Sequence, residues 1–190
     1  MYNLKIISSS VRPGRKGPVV AEWIAGIARK SGQFNVEVLD LGKLNLPLMN
    51  ESNHPMMQQY QHEHTKAWSA KIAEADAFIF VTAEYDYSYP APLKNALEYL
   101  IHEWAYKAAG VVSYSVGPFA GVRALASLKA DLLSLKVVSL AESVTIPSLL
   151  EQLNADGEMQ PTEIVSKSAG LMIQELVRWT KGMNLIRENK

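Results

Sequence analysis

Residues 77–95 read AFIFVTAEYDYSYPAPLKN. The first five, Ala77-Phe78-Ile79-Phe80-Val81, are apolar without alternation, the pattern of a strand buried on both faces of a parallel sheet. Pro90 and Pro92 stand where a helix should begin, because proline lacks a donor that the first turn would leave unpaired anyway. Between strand and helix, residues 84–89 supply three tyrosines, two carboxylates and a serine, a poor composition for a mere connector. In an open parallel sheet, ligands bind in the crevice outside the carboxyl ends of the strands. Tyrosines flank π-systems and loop amides hydrogen-bond a ring edge, so a flat aromatic ligand suits this loop.

Upstream of that stretch, Leu4-Lys5-Ile6-Ile7 reads as a short first strand, followed by the loop SSSVRPGRKG over residues 8–17. The helical spacing of Val20, Trp23, Ile24 and Ile27 comes next, with Pro18 in its first turn. A helix N-terminus backed by hydroxyls and cations suits phosphate. The loop has neither Gly-x-Gly-x-x-Gly nor Gly-Lys-Ser/Thr, so a single terminal phosphate is expected rather than a pyrophosphate or triphosphate. Taken alone, the loop also reads as a solvated basic turn. Phe34 to Asp40 alternates as a second strand, and residues 56–75 are expected to be helical. On such a helix His62 and His64 would point about 200° apart, away from any shared metal.

Downstream, Leu93, Ala96, Leu97, Leu100 and Ile101 make the inner stripe of a helix. A fourth strand spans residues 108–114, a small-residue loop 115–121, and a helix carries Val122, Leu125, Leu128, Leu132 and Leu133. A fifth strand is expected to begin over residues 136–140, a polar loop over 148–158, and a closing helix over 161–183. Five strands alternating with helices give a parallel sheet covered on both faces. With strand order 2-1-3-4-5, the loops after strands one, three and four meet at one edge, around the switch point between strands one and three.

Composition narrows the partners. Lysine plus arginine equals aspartate plus glutamate at 19 each, so no net field draws nucleic acid or an anionic membrane. Without cysteine there is no disulfide, thiolate metal site or cysteine nucleophile. The first strand is read as starting almost at Met1, which leaves no room for a signal peptide, and no apolar run approaches the ~20 residues of a membrane helix. A cytoplasmic address and a single domain over residues 1–190 are expected.

Ser9-Ser10-Val11-Arg12, Glu84-Tyr85-Asp86-Tyr87-Ser88 with Pro90, Leu93-Lys94-Asn95-Ala96, Val112-Ser113-Tyr114, and Gly121-Val122-Arg123-Ala124 together resemble the NAD(P)H-dependent FMN reductases of flavodoxin-like fold. That family's pattern runs Gly-Ser-x-Arg, Pro-Glu-Tyr-Asn-x-Ser-x-Pro, Leu-Lys-Asn-Ala and Gly-Gly-x-Arg-Ala. Four positions depart from it. Ser9 stands for the first glycine, Ala83 for the proline, Asp86 for the asparagine and Ala120 for one of the paired glycines. Ser9 and Ala120 are small and expected to be harmless. An ionised Asp86 only accepts hydrogen bonds where an amide could donate, and its charge should disfavour the anionic reduced flavin.

The resemblance implies a three-layer α/β sandwich that binds FMN, with NADPH or NADH as co-substrate and a small-molecule electron acceptor: a quinone, azo dye, nitro compound, metal oxyanion or free flavin. It implies that Ser10, Arg12 and the backbone of Arg15, Lys16, Gly17, Pro18 and Val19 hold the phosphate. Glu84, Tyr85, Asp86 and Tyr87 would border the isoalloxazine, largely through backbone groups, with Ser115 and Gly117 closing the opposite edge. Lys94 and Asn95 are expected to shape the helix start, and Arg123 to pair with a carboxylate or touch the nicotinamide nucleotide. No protein nucleophile or metal is required, since the cofactor carries the chemistry. Tyr87, Tyr89, Trp104 and Tyr106 are candidates for a subunit contact in a homodimer or homotetramer. Two other readings stay open: an electron-transfer protein like flavodoxin, usually strongly acidic where this chain is neutral, and a flavin-free binding module.

Overall fold

The computed structural model describes residues 1–189; Lys190, the last residue of the expected domain, lies outside them. Five parallel strands, β1 (Tyr2–Ser8), β2 (Phe34–Asp40), β3 (Ala77–Ala83), β4 (Ala108–Tyr114) and β5 (Val138–Ile146), form one sheet in the order β2-β1-β3-β4-β5. The helices are α1 (Gly17–Lys30), the single turn α2 (Leu41–Leu44), α3 (Glu63–Ala73), α4 (Ala91–Glu98), α5 (Val122–Ser134) and α6 (Glu163–Glu188). The expected flavodoxin-like architecture is present.

Side-chain alternation along each strand divides the core into two layers. Leu4, Ile6, Ile79, Val81, Val112 and Val144 pack under α1 and α6 with Val20, Ile24, Met172 and Leu176. Ile7, Phe78, Phe80 and Val111 pack on the other face with Trp68, Leu93, Trp104 and Leu128. Every residue of β3 is buried, which is why its sequence shows no polar alternation. Trp104 and Tyr89, expected at a subunit contact, belong to this second layer at 0% and 7% exposure. The Trp104 ring packs within 6.0 Å of Trp68 and 5.0 Å of Phe78, and core burial of such a ring outweighs its value at a surface.

The expected helix over residues 56–75 is shortened to α3. Pro55–Met57 form a 3-10 turn, Gln58 leaves it at φ +51°, and the Glu51 carboxylate accepts from the Gln61 and His62 amides at 2.8 and 3.1 Å. Those amides therefore have partners without a helix. His62 precedes α3 instead of lying on it, so its ring stacks on His64 at 5.1 Å, and both hydrogen-bond Asn50. No group of three or more His, Asp or Glu among the described residues could hold a metal.

The segment 148–158 is not simply polar. Leu149–Gln152 form a 3-10 turn in which Leu149 and Gln152 are buried, and Gln152 is tied to Pro147 and Thr162. The closing helix extends to Glu188, and β5 starts at Val138 because Lys136, at φ +57°, turns the chain. Ala120 also lies in the left-handed region, at φ +55°, so alanine in place of the family's glycine carries strain of about 1–2 kcal/mol. Ser9 is accommodated between β1 and β3, its amide on the Val81 carbonyl at 3.0 Å and its hydroxyl 3.3 Å from Thr82.

Candidate functional site

The loops after β1 and β3 meet face to face. The Ser10 hydroxyl lies 2.6 Å from the Tyr85 phenol oxygen, and the Arg12 guanidinium carbon lies 6.0 Å from the Tyr85 ring centre. The loop after β4 completes a cleft of about 440 Å³, in which Tyr114, Ser115 and Gly117 stand across from Ser10, Arg12, Lys16, Glu84 and Tyr85. Sheet register dictates this meeting, because β1, β3 and β4 end side by side at Ser8, Ala83 and Tyr114.

One end of the cleft gathers a cation, two hydroxyls and the start of a helix. Arg12 is exposed and cationic. Gly17 opens α1 so close to β1 and β4 that a Cβ there would stand 2.9 Å from both the Ser8 hydroxyl and the Tyr114 phenol. Ser8 is fully buried, and its hydroxyl has no hydrogen-bond partner among the described residues. Burial, reinforced by Tyr85, raises the Tyr114 pKa above its ordinary value, which keeps its phenol a donor at neutral pH.

Of the backbone amides expected to face a phosphate at residues 15–19, not all are free to donate. Pro18 has no N–H, and the Arg15 and Val19 amides already donate to the carbonyls of Arg12 and Lys16 at 3.1 Å each. That leaves Lys16 and Gly17. Pro18 and Val19 instead line a different cleft, with Trp23 and Met159. The Arg15 side chain is committed elsewhere, since its Nη2 donates to Asp40 Oδ2 at 2.9 Å and Asp40 Oδ1 accepts from the Gly42 amide at 2.9 Å. Arg15 thus ties the first loop to the end of β2.

The other end is aromatic and apolar. Tyr85 and Ser88 exchange backbone hydrogen bonds of 2.8 and 2.9 Å, with Asp86 at φ +46° and Tyr87 at φ +67°. Positive φ at both central positions makes a type I′ turn, for which asparagine, aspartate and glycine are favoured. Asp86 therefore keeps the backbone shape that the family's asparagine would give. The turn points Asp86 and Tyr87 outward: both are exposed and neither lines the cleft.

Glu84 lines the cleft, and its carboxylate accepts from Arg123 Nε at 2.6 Å and from the Arg123 amide at 3.2 Å. Burial alone would raise the Glu84 pKa, but the Arg123 side-chain bond, the bonds from the start of α5 and the Arg123 charge outweigh it and hold it low. Arg123 thus has the carboxylate partner foreseen for it, and its guanidinium stacks 4.0 Å from the Tyr87 ring centre and 5.2 Å from that of Phe119. Asn95 and Lys94 stay clear of the cleft. Asn95 anchors Pro47 and Met49, and Lys94 pairs with Asp131.

Ser115 and Gly117 are stitched to the segment after β5. Ser148 donates to the Gly117 carbonyl and Leu149 to that of Ser115, each at 3.0 Å. This brings Leu149 and Leu150 into the cleft beside Val116. Sequence reasoning missed these leucines and Tyr114. Their signal was an apolar pair just past a strand and a bulky phenol at the last position of β4.

The family model for NADPH-dependent FMN reductases matches residues 2–150. A NAD(P)H-dependent FMN reductase of Schizosaccharomyces pombe is 40% identical over 146 residues, covering 75% of this chain and 72% of the relative. An NADPH azoreductase of a Bacillus species is 28% identical over 189 residues, covering 98% and 96%. Among solved structures, the flavoenzyme NAD(P)H:(acceptor) oxidoreductase FerB of Paracoccus denitrificans superposes with a TM-score of 0.77 over 96% of this chain and 99% of that one, at 23% identity. That likeness supports the fold.

Proposed function

The chain belongs to the NADPH-dependent FMN reductase family, and on that footing we propose that the cleft beyond β1, β3 and β4 is its FMN site. The activity is that of an NAD(P)H-dependent flavoprotein oxidoreductase. The donor set suits the cofactor. Arg12, Ser10 and the Lys16 and Gly17 amides hold the phosphate, with Ser8 and Tyr114 as hydroxyls behind them. The backbone of Glu84 and Tyr85 borders one edge of the ring, and Ser115, Gly117, Leu149 and Leu150 close the other. Asp86 and Tyr87 act on the flavin only through the turn they shape.

Bound FMN supplies hydride acceptance from the nicotinamide and electron donation to the acceptor. The protein orients the ring, excludes water with Leu149 and Leu150, and anchors the phosphate. The acceptor is a small planar or oxidising molecule such as a quinone, azo dye, nitro compound, metal oxyanion or free flavin. Exposed Val116 and Leu150 in the cleft, with exposed Tyr87 and Phe119 stacked on the Arg123 that Glu84 holds, fit a homodimer or homotetramer in which another copy helps to wall the cleft. We place residues 1–190 in one domain and the protein in the cytoplasm, where NAD(P)H is supplied. No helix among the described residues is long and apolar enough to cross a membrane.

The observation that carries this reading is the Ser10 to Tyr85 contact of 2.6 Å with Arg12 over the same ring, which sets an anion site and a ring site in one cleft. The test is to incubate purified protein with FMN, desalt it and add NADPH anaerobically. Retained flavin absorbance, bleaching by NADPH and recolouring by a quinone are expected, with ping-pong kinetics. Colourless protein would overturn the flavin site, and retained flavin that NADPH does not bleach would favour an electron-transfer role.

A further inference from the structure

Helix α6 buries one face in the core through Val165, Ala169, Met172, Ile173, Leu176, Thr180 and Met183. A second apolar line runs along its flank. Ile164, Leu171, Trp179 and Ile186 are 78%, 50%, 43% and 46% exposed. At 100° per residue these four fall within an arc of about 80°, so they form one strip about 33 Å long at 1.5 Å per residue. None of them lines the cleft described above.

The strip is symmetric about Glu175. Leu171 and Trp179 lie four residues to either side of it, Ser168 and Gly182 seven, and Ile164 and Ile186 eleven. We propose that this strip is a self-association surface, on which α6 of a second copy crosses antiparallel about a two-fold axis at Glu175. An isologous contact requires that each residue meet its mirror position. Here each Leu171 meets Trp179 of the second copy, each Ile164 meets Ile186, and the small Ser168 and Gly182 lie opposite one another and let the backbones approach.

Charge fits the same axis. Glu175 accepts from Arg178 at 2.6 Å, and the Arg178 side chain is 76% exposed. Two Glu175 carboxylates brought together would repel, but each arrives with an Arg178 one turn away that reaches the opposing carboxylate. The pair is complementary to itself only in the antiparallel arrangement. A second copy of this chain is the occupant that the spacing and the charges share. The surface is separate from the cleft mouth, so the inference does not rest on the flavin reading.

The chain contains no cysteine, which makes cross-linking decisive. Glu175→Cys places one thiol from each copy beside the axis, within reach of a disulfide. Under mild oxidation it should form covalent dimer at least tenfold faster than Ser134→Cys on α5. Trp179→Glu, in FMN-loaded full-length protein, should reduce the particle mass measured by light scattering at matched concentration and leave the moles of FMN bound per mole of chain unchanged. Equal cross-linking rates at the two positions, or an unchanged mass with Trp179→Glu, would overturn the proposal. A mass loss accompanied by flavin loss would also overturn it, because the surface would then not be separate from the site.

Discussion

Arg12 and Arg15 lie three residues apart in one loop, and apart from the Gly-Ser-x-Arg pattern the sequence gives their side chains no different work. Their partners do. Arg15 spends its guanidinium on Asp40, whose side chain is only 9% exposed, whereas Arg12 lies exposed over the Tyr85 ring. Arg12→Ala should therefore weaken FMN binding by about 1.5–3 kcal/mol, roughly ten- to a hundredfold in the dissociation constant, while leaving the melting temperature of the flavin-free protein in place. Arg15→Ala should do the reverse. It leaves a nearly buried carboxylate without its cation, so stability should fall by about 1–3 kcal/mol while affinity changes less than in Arg12→Ala. Flavin fluorescence titration and urea unfolding of both variants distinguish the roles, and a larger affinity loss in Arg15→Ala would reverse the assignment.

At the scale of elements, α3 ends against a buried cation. Lys107 Nζ donates to the carbonyls of Ile72 and Ala73 at 2.7 and 3.1 Å and lies 5.6 Å from the Phe78 ring centre. It serves as the cap that the helix C-terminus needs. Burial, aided by the Arg187 charge and opposed by Asp76 and Glu103, pulls its pKa down to about 8. The folded protein then binds fewer protons than the unfolded chain between about pH 8 and 10.5, so this group adds stability as pH rises through that window and opposes folding below it. The swing is on the order of 3 kcal/mol. Unfolding free energy should increase from pH 8 to pH 9 in the wild type, before the raised pKa values of Tyr60, Tyr89 and Tyr114 begin to oppose it, and Lys107→Met should flatten the increase; an identical slope in the variant would show that Lys107 is not the titrating group.

The same contrast explains what could be read in advance. Strands β2 and β4 were legible to the residue, because burial imposes a two-residue period or an unbroken apolar run. Residues 56–62 were not, because the contact that replaces their helix comes from Glu51, ten and eleven residues upstream of the amides it binds and outside any periodic pattern. In the candidate site, Ser10, Arg12 and Tyr85 were legible from position, at strand ends beside the switch point. The directions of Pro18, Val19, Asp86 and Tyr87 were not, since they depend on how one helix starts and how one turn closes. Leu149 and Leu150 reach the cleft only through the hydrogen bonds that stitch residues 115–117 to residues 148–149.

For the whole molecule, the cleft is where three loops with no shared secondary structure converge. Tyr85, Arg12 and Ser115 sit on separate connections, and the Ser10 to Tyr85 contact bonds the first two loops directly across the cleft. A ligand that touches all three acts as a brace on the native state and not on the unfolded chain. At a free FMN concentration a hundredfold above the dissociation constant, the native state gains about 2.7 kcal/mol. For a chain of 190 residues, each kcal/mol raises the melting temperature by roughly 2–4 °C, so FMN should raise it by about 5–11 °C. Riboflavin presents the same ring without the phosphate, leaves Arg12, Lys16 and Gly17 unengaged, and should give a distinctly smaller rise at the same concentration. Differential scanning calorimetry of flavin-free protein with each ligand measures both values. Equal shifts would mean that the loop after β1 plays no part in holding the ligand, and the basic end of the cleft would then have to be assigned to something other than a phosphate.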